Sequence, residues 1–200
     1  MIRTKEDLRA YIAADRKAQP PAKSFIKRHF DDVMKMKTLL RKSEYHHNNP
    51  GVIHKLLYCF HWWRCKRIQR SYCSELWPNV FGKGLMIWHP ERIIVNGAAR
   101  VGDYCSLSSG VVIAHSNHEN PVIGDYVELM IDSKVLGGVH VADHVRIGAN
   151  TLVLKDIDEA DTTWAGQPAH KIGDTGTVEH PIPTLAKVGD KERGMNVRSA

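Results

Sequence analysis

The sequence repeats with a period of six residues from residue 95 to residue 157. Large aliphatic residues recur at this step, and a second small or aliphatic position follows each of them by four residues. An amphipathic helix has a period of 3.6 and an alternating strand a period of 2, so neither sustains this pattern. The first set is Val95, Val101, Leu107, Ile113, Ile123, Leu129, Val135, Val141, Ile147 and Val153, and the second includes Cys105, Val111, Val127, Ser133, Val139, Val145, Thr151 and Ile157.

A parallel β-helix explains a six-residue period. In this fold short strands meet at corners, and every sixth side chain points towards the axis. The position four residues later must be small or β-branched to fit near a corner, and the glycines that often follow the aliphatic residue permit the turn. The pattern therefore predicts a parallel β-helix over the repeating residues 95–157.

The repeat is interrupted once by a longer step. Ten residues instead of six separate Ile113 from Ile123, so four additional residues must leave the coil as an external loop. Such loops on a rigid solenoid commonly form the binding face. This loop carries His115, His118 and Glu119.

The first third of the chain has helical periodicity. We expect a helical region over residues 1–74, the β-helix over 75–173 and a C-terminal extension over 174–200. A capping box of Thr4 and Asp7 predicts the first helix, which Pro20 ends. The second is predicted over 24–44 and the third over 52–72, the latter burying Ile53, Leu56, Leu57 and Phe60 and exposing Arg64, Lys66, Arg67 and Arg70.

The positive charge is concentrated in the helical region. Residues 1–72 contain 17 basic and 6 acidic residues, a net charge of +11. This predicts a solvated surface or peripheral contact with a membrane or an acidic polymer, and no nucleic-acid motif accompanies it. The sequence has no apolar run of about 18 residues and no signal-peptide core, so we expect a cytoplasmic protein. Its four cysteines form no CxxC pair and are expected to be reduced and mostly buried.

Two motifs resemble a known family. Residues 162–172, TTWAGQPAHKI, resemble the A-G-x-P-A motif that closes the β-helix of hexapeptide-repeat acyltransferases. Residues 79–89, NVFGKGLMIWH, followed by IIVN at 93–96, resemble serine acetyltransferases and the O-acetyltransferases of capsular and surface polysaccharides. The resemblance implies an α+β fold with an N-terminal helical region and a left-handed parallel β-helix. It also implies acetyl-CoA as donor, no metal, and a homotrimer with CoA between neighbouring prisms.

A histidine in the position of His89 is the general base of that family. His89 interrupts strand-like residues at 86–87 and 93–95, as a catalytic corner would. An alcohol attacks a thioester poorly unless its proton is removed, and imidazole titrates near neutral pH. The resemblance assigns a second loop histidine to the acceptor. Here His118 is the first choice and His115 the second.

Two departures from the family pattern concern the acceptor. Trp88 stands where serine-using members have an aspartate, and Ser74-Glu75 stands where they have the aspartate that orients the imidazole. Glu75 and Glu91 both remain candidates for the orienting role. Because an indole stacks well on a sugar ring, we expect a sugar hydroxyl of a surface polysaccharide or its precursor as acceptor, with serine as the alternative.

The family's CoA contacts lie at small residues of the later coils. By position these are Ser133, Gly138, Ala149, Ala165 and Gly166, with Lys171 near a phosphate and an oxyanion-binding N–H near residues 137–138. Two other functions compete with acetyl transfer. One is a zinc enzyme resembling carbonic anhydrases built on the same prism, with His89, His115 and His118 as ligands. The other is a non-catalytic scaffold that uses the basic helices.

Overall fold

This computed structural model describes residues 1–21, 24 and 31–177, and within these residues three helices precede the β-helix. Helix α1 spans Lys5–Ala18, α2 spans Asp32–His47 and α3 spans Val52–Ser71. Thr4 and Asp7 form the predicted capping box, in which each side chain accepts a hydrogen bond from the other residue's N–H. Residues 25–30, which belong to the predicted second helix over 24–44, lie outside the described residues. No helix among the described residues is long and apolar enough to cross a membrane.

Helix α3 buries a different face from the predicted one. Ile53 and Leu56 are 71% and 66% exposed, and Phe60 is 50% exposed. The buried residues are Cys65 and Gln69, which lie on the opposite side of the helix. The prediction was wrong because α3 has apolar residues on both faces, so periodicity alone does not select the packed one.

The described residues form thirteen short strands, which lie on three sheets. They are β1 Met86–Ile87, β2 Ile94–Val95, β3 Arg100–Val101, β4 Ser106–Leu107, β5 Val112–Ala114, β6 Val122–Ile123, β7 Glu128–Leu129, β8 Lys134–Leu136, β9 His140–Val141, β10 Arg146–Ile147, β11 Leu152–Val153, β12 Thr163–Ala165 and β13 His170–Gly173. Each strand from β1 to β8 pairs in parallel with the third strand after it, and this connectivity makes a three-sided prism; β10 pairs in parallel with β12. Only β13 pairs antiparallel, with β12, among the described strands.

The two repeating positions form the core of the prism. From Ile123 to Ile157, every residue of both predicted sets is at most 4% exposed. Between the strands, the corners use left-handed backbone conformations at non-glycine residues, including Arg92, Asp132 and Asn150. The structure confirms the predicted fold, an N-terminal helical region followed by a left-handed β-helix of hexapeptide repeats.

The helices cover the open end of the prism through buried polar side chains. Strand β1 is the edge strand of its sheet, so its outward N–H and C=O groups need partners. Gln19 supplies both to Ile87: its side-chain oxygen accepts from the Ile87 N–H, at 3.1 Å, and its amide donates to the Ile87 carbonyl oxygen, at 2.7 Å. Lys37 donates to the Leu85 carbonyl oxygen at 2.9 Å. The first coil is therefore fixed by the helices two residues before His89.

A buried ion pair joins the same helices. The Arg41 guanidinium contacts Asp15 at 2.9 Å and Glu44 at 3.2 Å, and all three side chains are at most 2% exposed. Arg41 also donates to the backbone carbonyl oxygens of Phe81 and Gly82. Because each charge has a partner, the network connects α1, α2 and the start of the prism at a tolerable desolvation cost.

Candidate functional site

The corner that carries His89 is two residues longer than the equivalent corners of later coils. Five residues separate the buried residues Ile87 and Ile93, whereas three separate Leu107 from Val111. Three residues also separate Leu129 from Ser133 and Ile147 from Thr151.

Backbone hydrogen bonds between coils show which residues are additional. The Trp88 N–H donates to the Leu107 carbonyl oxygen of the next coil, and the Ser108 N–H donates in the same way to the Leu129 carbonyl oxygen. Trp88 and Ser108 therefore occupy equivalent positions. The Glu91 backbone carbonyl oxygen accepts from the Gly110 N–H, and the Ser109 backbone carbonyl oxygen accepts from the Asp132 N–H. Glu91 and Ser109 are therefore equivalent as well. His89 and Pro90 have no counterpart in the next coil. The histidine thus stands on an expanded corner and replaces no core residue.

The Ser74 side chain fixes the backbone of the expanded corner. Its hydroxyl donates to the Pro90 carbonyl oxygen and accepts from the Ile93 N–H at 3.0 Å. Ser109 of the next coil donates to the Glu91 carbonyl oxygen at 3.1 Å. His89 has a left-handed backbone with φ 59°, which is unfavourable for a residue with a Cβ, and these bonds stabilise it.

The His89 side chain is exposed beside the half-buried Trp88. Within the described part of the chain it forms no hydrogen bond or ion pair, so neither Glu75 nor Glu91 orients the imidazole in a single chain. The Glu75 carboxylate instead lies 4.0 Å from the Lys66 ammonium. The sequence position of the family's orienting aspartate is occupied by Ser74, which acts on the backbone of the corner.

The loop between β5 and β6 projects His118 from a tight turn. Ser116 and Glu119 exchange backbone hydrogen bonds of 3.0 and 3.1 Å, and Asn117 and His118 between them have left-handed φ angles of 51° and 65°. His115 lies in the same loop, with its Nδ1 2.8 Å from the Asn96 amide nitrogen. Both histidines are exposed.

The predicted residues lie on two different edges of the prism. The corner of His89 connects the sheet of β1 to the sheet of β2, whereas the loop connects the sheet of β5 to that of β6. Ser133, Ala149 and Gly166 share the edge of His89. Gly138 lies on the same edge as His118. A Cβ at position 138 would lie 2.6 Å from the Glu119 carboxylate. One chain therefore places His89 and His118 on neighbouring edges.

Two of the expected CoA contacts are constrained by their surroundings. Ser133 is fully buried, so only its backbone could contact a cofactor. The Lys171 ammonium lies 2.5 Å from Glu159 and 2.6 Å from Asp174, so a phosphate would have to compete with two carboxylates. Hydrogen bonds to these carboxylates raise the pKa of Lys171.

The histidines do not assemble into a metal centre in the described residues. Within 1–21, 24 and 31–177, no group of three or more His, Cys, Asp or Glu side chains is placed to hold a metal ion. In a single chain, the topology puts His89 on a different edge from His115 and His118. This arrangement gives no support to a zinc enzyme built on the three histidines.

The repeats have counterparts in known proteins. The family model for bacterial transferase hexapeptide (six repeats) matches residues 120–155. A serine acetyltransferase of Synechococcus elongatus is 32% identical over 113 residues, which cover 54% of this chain and 46% of that protein. A serine acetyltransferase of Staphylococcus epidermidis is 31% identical over 134 residues, which cover 60% of this chain and 62% of that protein. The chain contains hexapeptide repeats and resembles serine acetyltransferase. It spans about half to three fifths of the length of these curated relatives.

The structural likeness extends into the helical region. A crystal structure of the Brucella abortus serine acetyltransferase in complex with coenzyme A has a TM-score of 0.64 and 25% identity. The match covers 86% of this chain and 68% of that one. In the serine acetyltransferase-like prism described here, sequence reasoning missed the role of Ser74 and the two-residue expansion of the corner. The second had a readable signal, the step of six instead of four from Ile87 to Ile93.

Proposed function

We propose that this chain is an acetyl-CoA-dependent O-acetyltransferase with His89 as its general base. The observation that carries the proposal is the corner itself, which is lengthened by two residues to present an exposed imidazole. The relatives support the reaction class, since those described above are named serine acetyltransferases. The Brucella abortus structure, which holds coenzyme A on a similar fold, supports the donor.

The proposed reaction is a direct transfer. His89 removes the proton of the acceptor hydroxyl while the oxygen attacks the thioester carbonyl. A tetrahedral intermediate forms, and a backbone N–H near residues 137–138 stabilises its oxyanion. The carbon–sulfur bond then breaks, and the imidazolium returns its proton to the CoA thiolate. The proton removed in the first step is returned in the last, so no other acid or metal is needed.

The site of this reaction requires two chains. His89 and Ala149 lie on one edge of the prism, and His118 and Gly138 lie on the next, so the residues assigned to the reaction are divided between two edges. A homotrimer brings the first edge of one prism against the second edge of its neighbour. We propose that CoA lies in this groove, with His118 contacting the acceptor across it.

The relatives favour serine as the acceptor over the sugar hydroxyl that Trp88 led us to expect. We therefore propose the hydroxyl of L-serine or a similar small amino acid as the first candidate. A sugar hydroxyl remains the second, on one observation: the half-buried Trp88 lies beside His89, where its indole can stack on a sugar ring.

An acceptor panel tests the function and the acceptor together. Purified protein with acetyl-CoA is offered L-serine, nucleotide sugars and surface oligosaccharides, and release of the CoA thiol is followed. We expect turnover with serine, and turnover with sugars alone would select the second candidate. His89→Ala should lower the rate by roughly 10²–10⁴-fold, whereas the exposed control His140→Ala should not. Absence of turnover with every acceptor, or full activity in His89→Ala, would contradict the proposal.

A further inference from the structure

Helix α3 presents to solvent the face that was expected to be its packed face. Six large apolar side chains on this face are 37–73% exposed among the described residues. They form one stripe along the helix, made of Val52, Ile53, Leu56, Leu57, Phe60 and Trp63. Leaving so much contiguous apolar surface in water is unfavourable and indicates a contact that covers it.

The same face becomes basic over its last two turns. Arg64, Arg67 and Arg70 follow the apolar stripe, and Lys55 lies at its margin; none of the four forms an ion pair with another described residue. Helix α3 contains five Lys and Arg residues and no Asp or Glu. The arginines adjoin the aromatic rings: the Arg64 guanidinium lies 5.5 Å from the Phe60 ring centre and that of Arg67 5.1 Å from the Trp63 ring centre.

We propose that this α3 face docks on an anionic phospholipid bilayer. Apolar and aromatic side chains beside Arg and Lys, without acidic residues, are the composition of a helix that lies in the membrane interface. Hydrocarbon covers Leu56 and Phe60, while lipid phosphates bind Arg64 and Arg67. With 20 residues the helix is about 30 Å long and lies along the surface.

Charge favours lipid over a second copy of this face. A symmetric contact would place the arginines of one helix against those of the other if the helices are parallel, or against the apolar first turns if they are antiparallel, and neither α3 offers a carboxylate to neutralise them. An anionic bilayer supplies both an apolar phase and a dense layer of negative charge. The docking would hold the prism, with its acetyl-transfer site, at the membrane surface.

Vesicle flotation tests the proposal without using enzymatic activity, so its failure is separate from failure of the proposed function. The full chain is mixed with vesicles of phosphatidylcholine alone or with 30% phosphatidylglycerol. We expect flotation with the anionic vesicles and release by high salt. L56S/F60S should reduce the partition coefficient at least about tenfold. R64E/R67E should reduce it at least about fivefold.

Matched variants elsewhere on the molecule provide the controls. I131S/L154S removes two exposed apolar residues of the β-helix, and K5E/R9E reverses two exposed charges of α1. Both should float within about twofold of the wild type, and circular dichroism should show that all four variants keep their helices. Equal losses in variants and controls, or no flotation of folded wild type, would overturn the proposal. Analytical sedimentation without lipid tests the alternative of a protein interface. If the wild type forms a larger assembly that L56S/F60S dissociates, the face binds protein and the membrane proposal is wrong.

Discussion

The Ser74 hydroxyl donates a hydrogen bond to the carbonyl oxygen of Pro90, the residue that follows His89. The Ser74 hydroxyl oxygen also accepts a hydrogen bond from the Ile93 N–H. Ser74 thus ties Pro90, the second of the two additional residues, to Ile93, where the next side of the coil begins, and it does so from a position 16 residues before Pro90 in the chain.

Ser74→Ala should lower the acetyl-transfer rate by misplacing His89. Without the hydroxyl, two buried backbone groups lose a partner, which should cost about 1–3 kcal/mol of stability. We expect kcat to fall roughly tenfold with little change in CoA affinity, because a positioning residue does not touch the cofactor. Steady-state kinetics and calorimetry measure the two quantities. Ser71→Ala, which removes an exposed hydroxyl on α3, is the control, and an unchanged kcat in Ser74→Ala would argue against positioning.

Arg41→Met should destabilise the junction between the helices and the prism. Asp15 and Glu44 would remain buried without their counter-charge, and breaking a buried pair in this way costs about 3–5 kcal/mol. Urea unfolding measures the loss. Arg9→Met removes an exposed partner of Glu6 at 3.9 Å and should change stability by less than about 0.5 kcal/mol. Equal effects of the two substitutions would show that the buried network does not stabilise the junction.

Lys37 should make stability rise with pH above about pH 8. Burial lowers the pKa of Lys37 from 10.5 to about 8. Between these values the unfolded chain binds the proton and the folded chain does not, so raising the pH favours the folded state. Below pH 8 both states are protonated and the slope disappears. We expect the wild type to gain about 1–3 kcal/mol relative to Lys37→Met between pH 8 and 10. Urea unfolding of both proteins at pH 7, 8.5 and 9.5 tests this, and a constant difference would contradict it.

The four thiols should react in two classes. Cys59 and Cys73 are exposed, contrary to the expectation of mostly buried cysteines, whereas Cys65 and Cys105 are buried. Burial raises the pKa of Cys65 to about 11 and that of Cys105 to about 12, so both stay protonated and unreactive. A thiol reagent should therefore titrate two cysteines in the native protein and four in denaturant. Cys59→Ser and Cys73→Ser should each remove one fast equivalent, and a third fast thiol would show that a buried site opens.

The sequence determined the prism because its information is local and repeated. Every sixth residue must fill the axis, so the buried positions from Ile123 to Ile157 could be predicted one by one. The lengthened corner was also encoded, as a step of six where the equivalent corners have four, and it placed His89 outside the core.

Only the tertiary structure decided the remaining features. Helix α3 has apolar residues on both faces, and the packing against α2 determined which face stayed in water. Ser74 reaches Pro90 across the first coil, and the topology sets His89 and His118 on different edges. These relationships join residues far apart in the chain, and the sequence pattern specifies what each residue prefers but not which distant partner satisfies it.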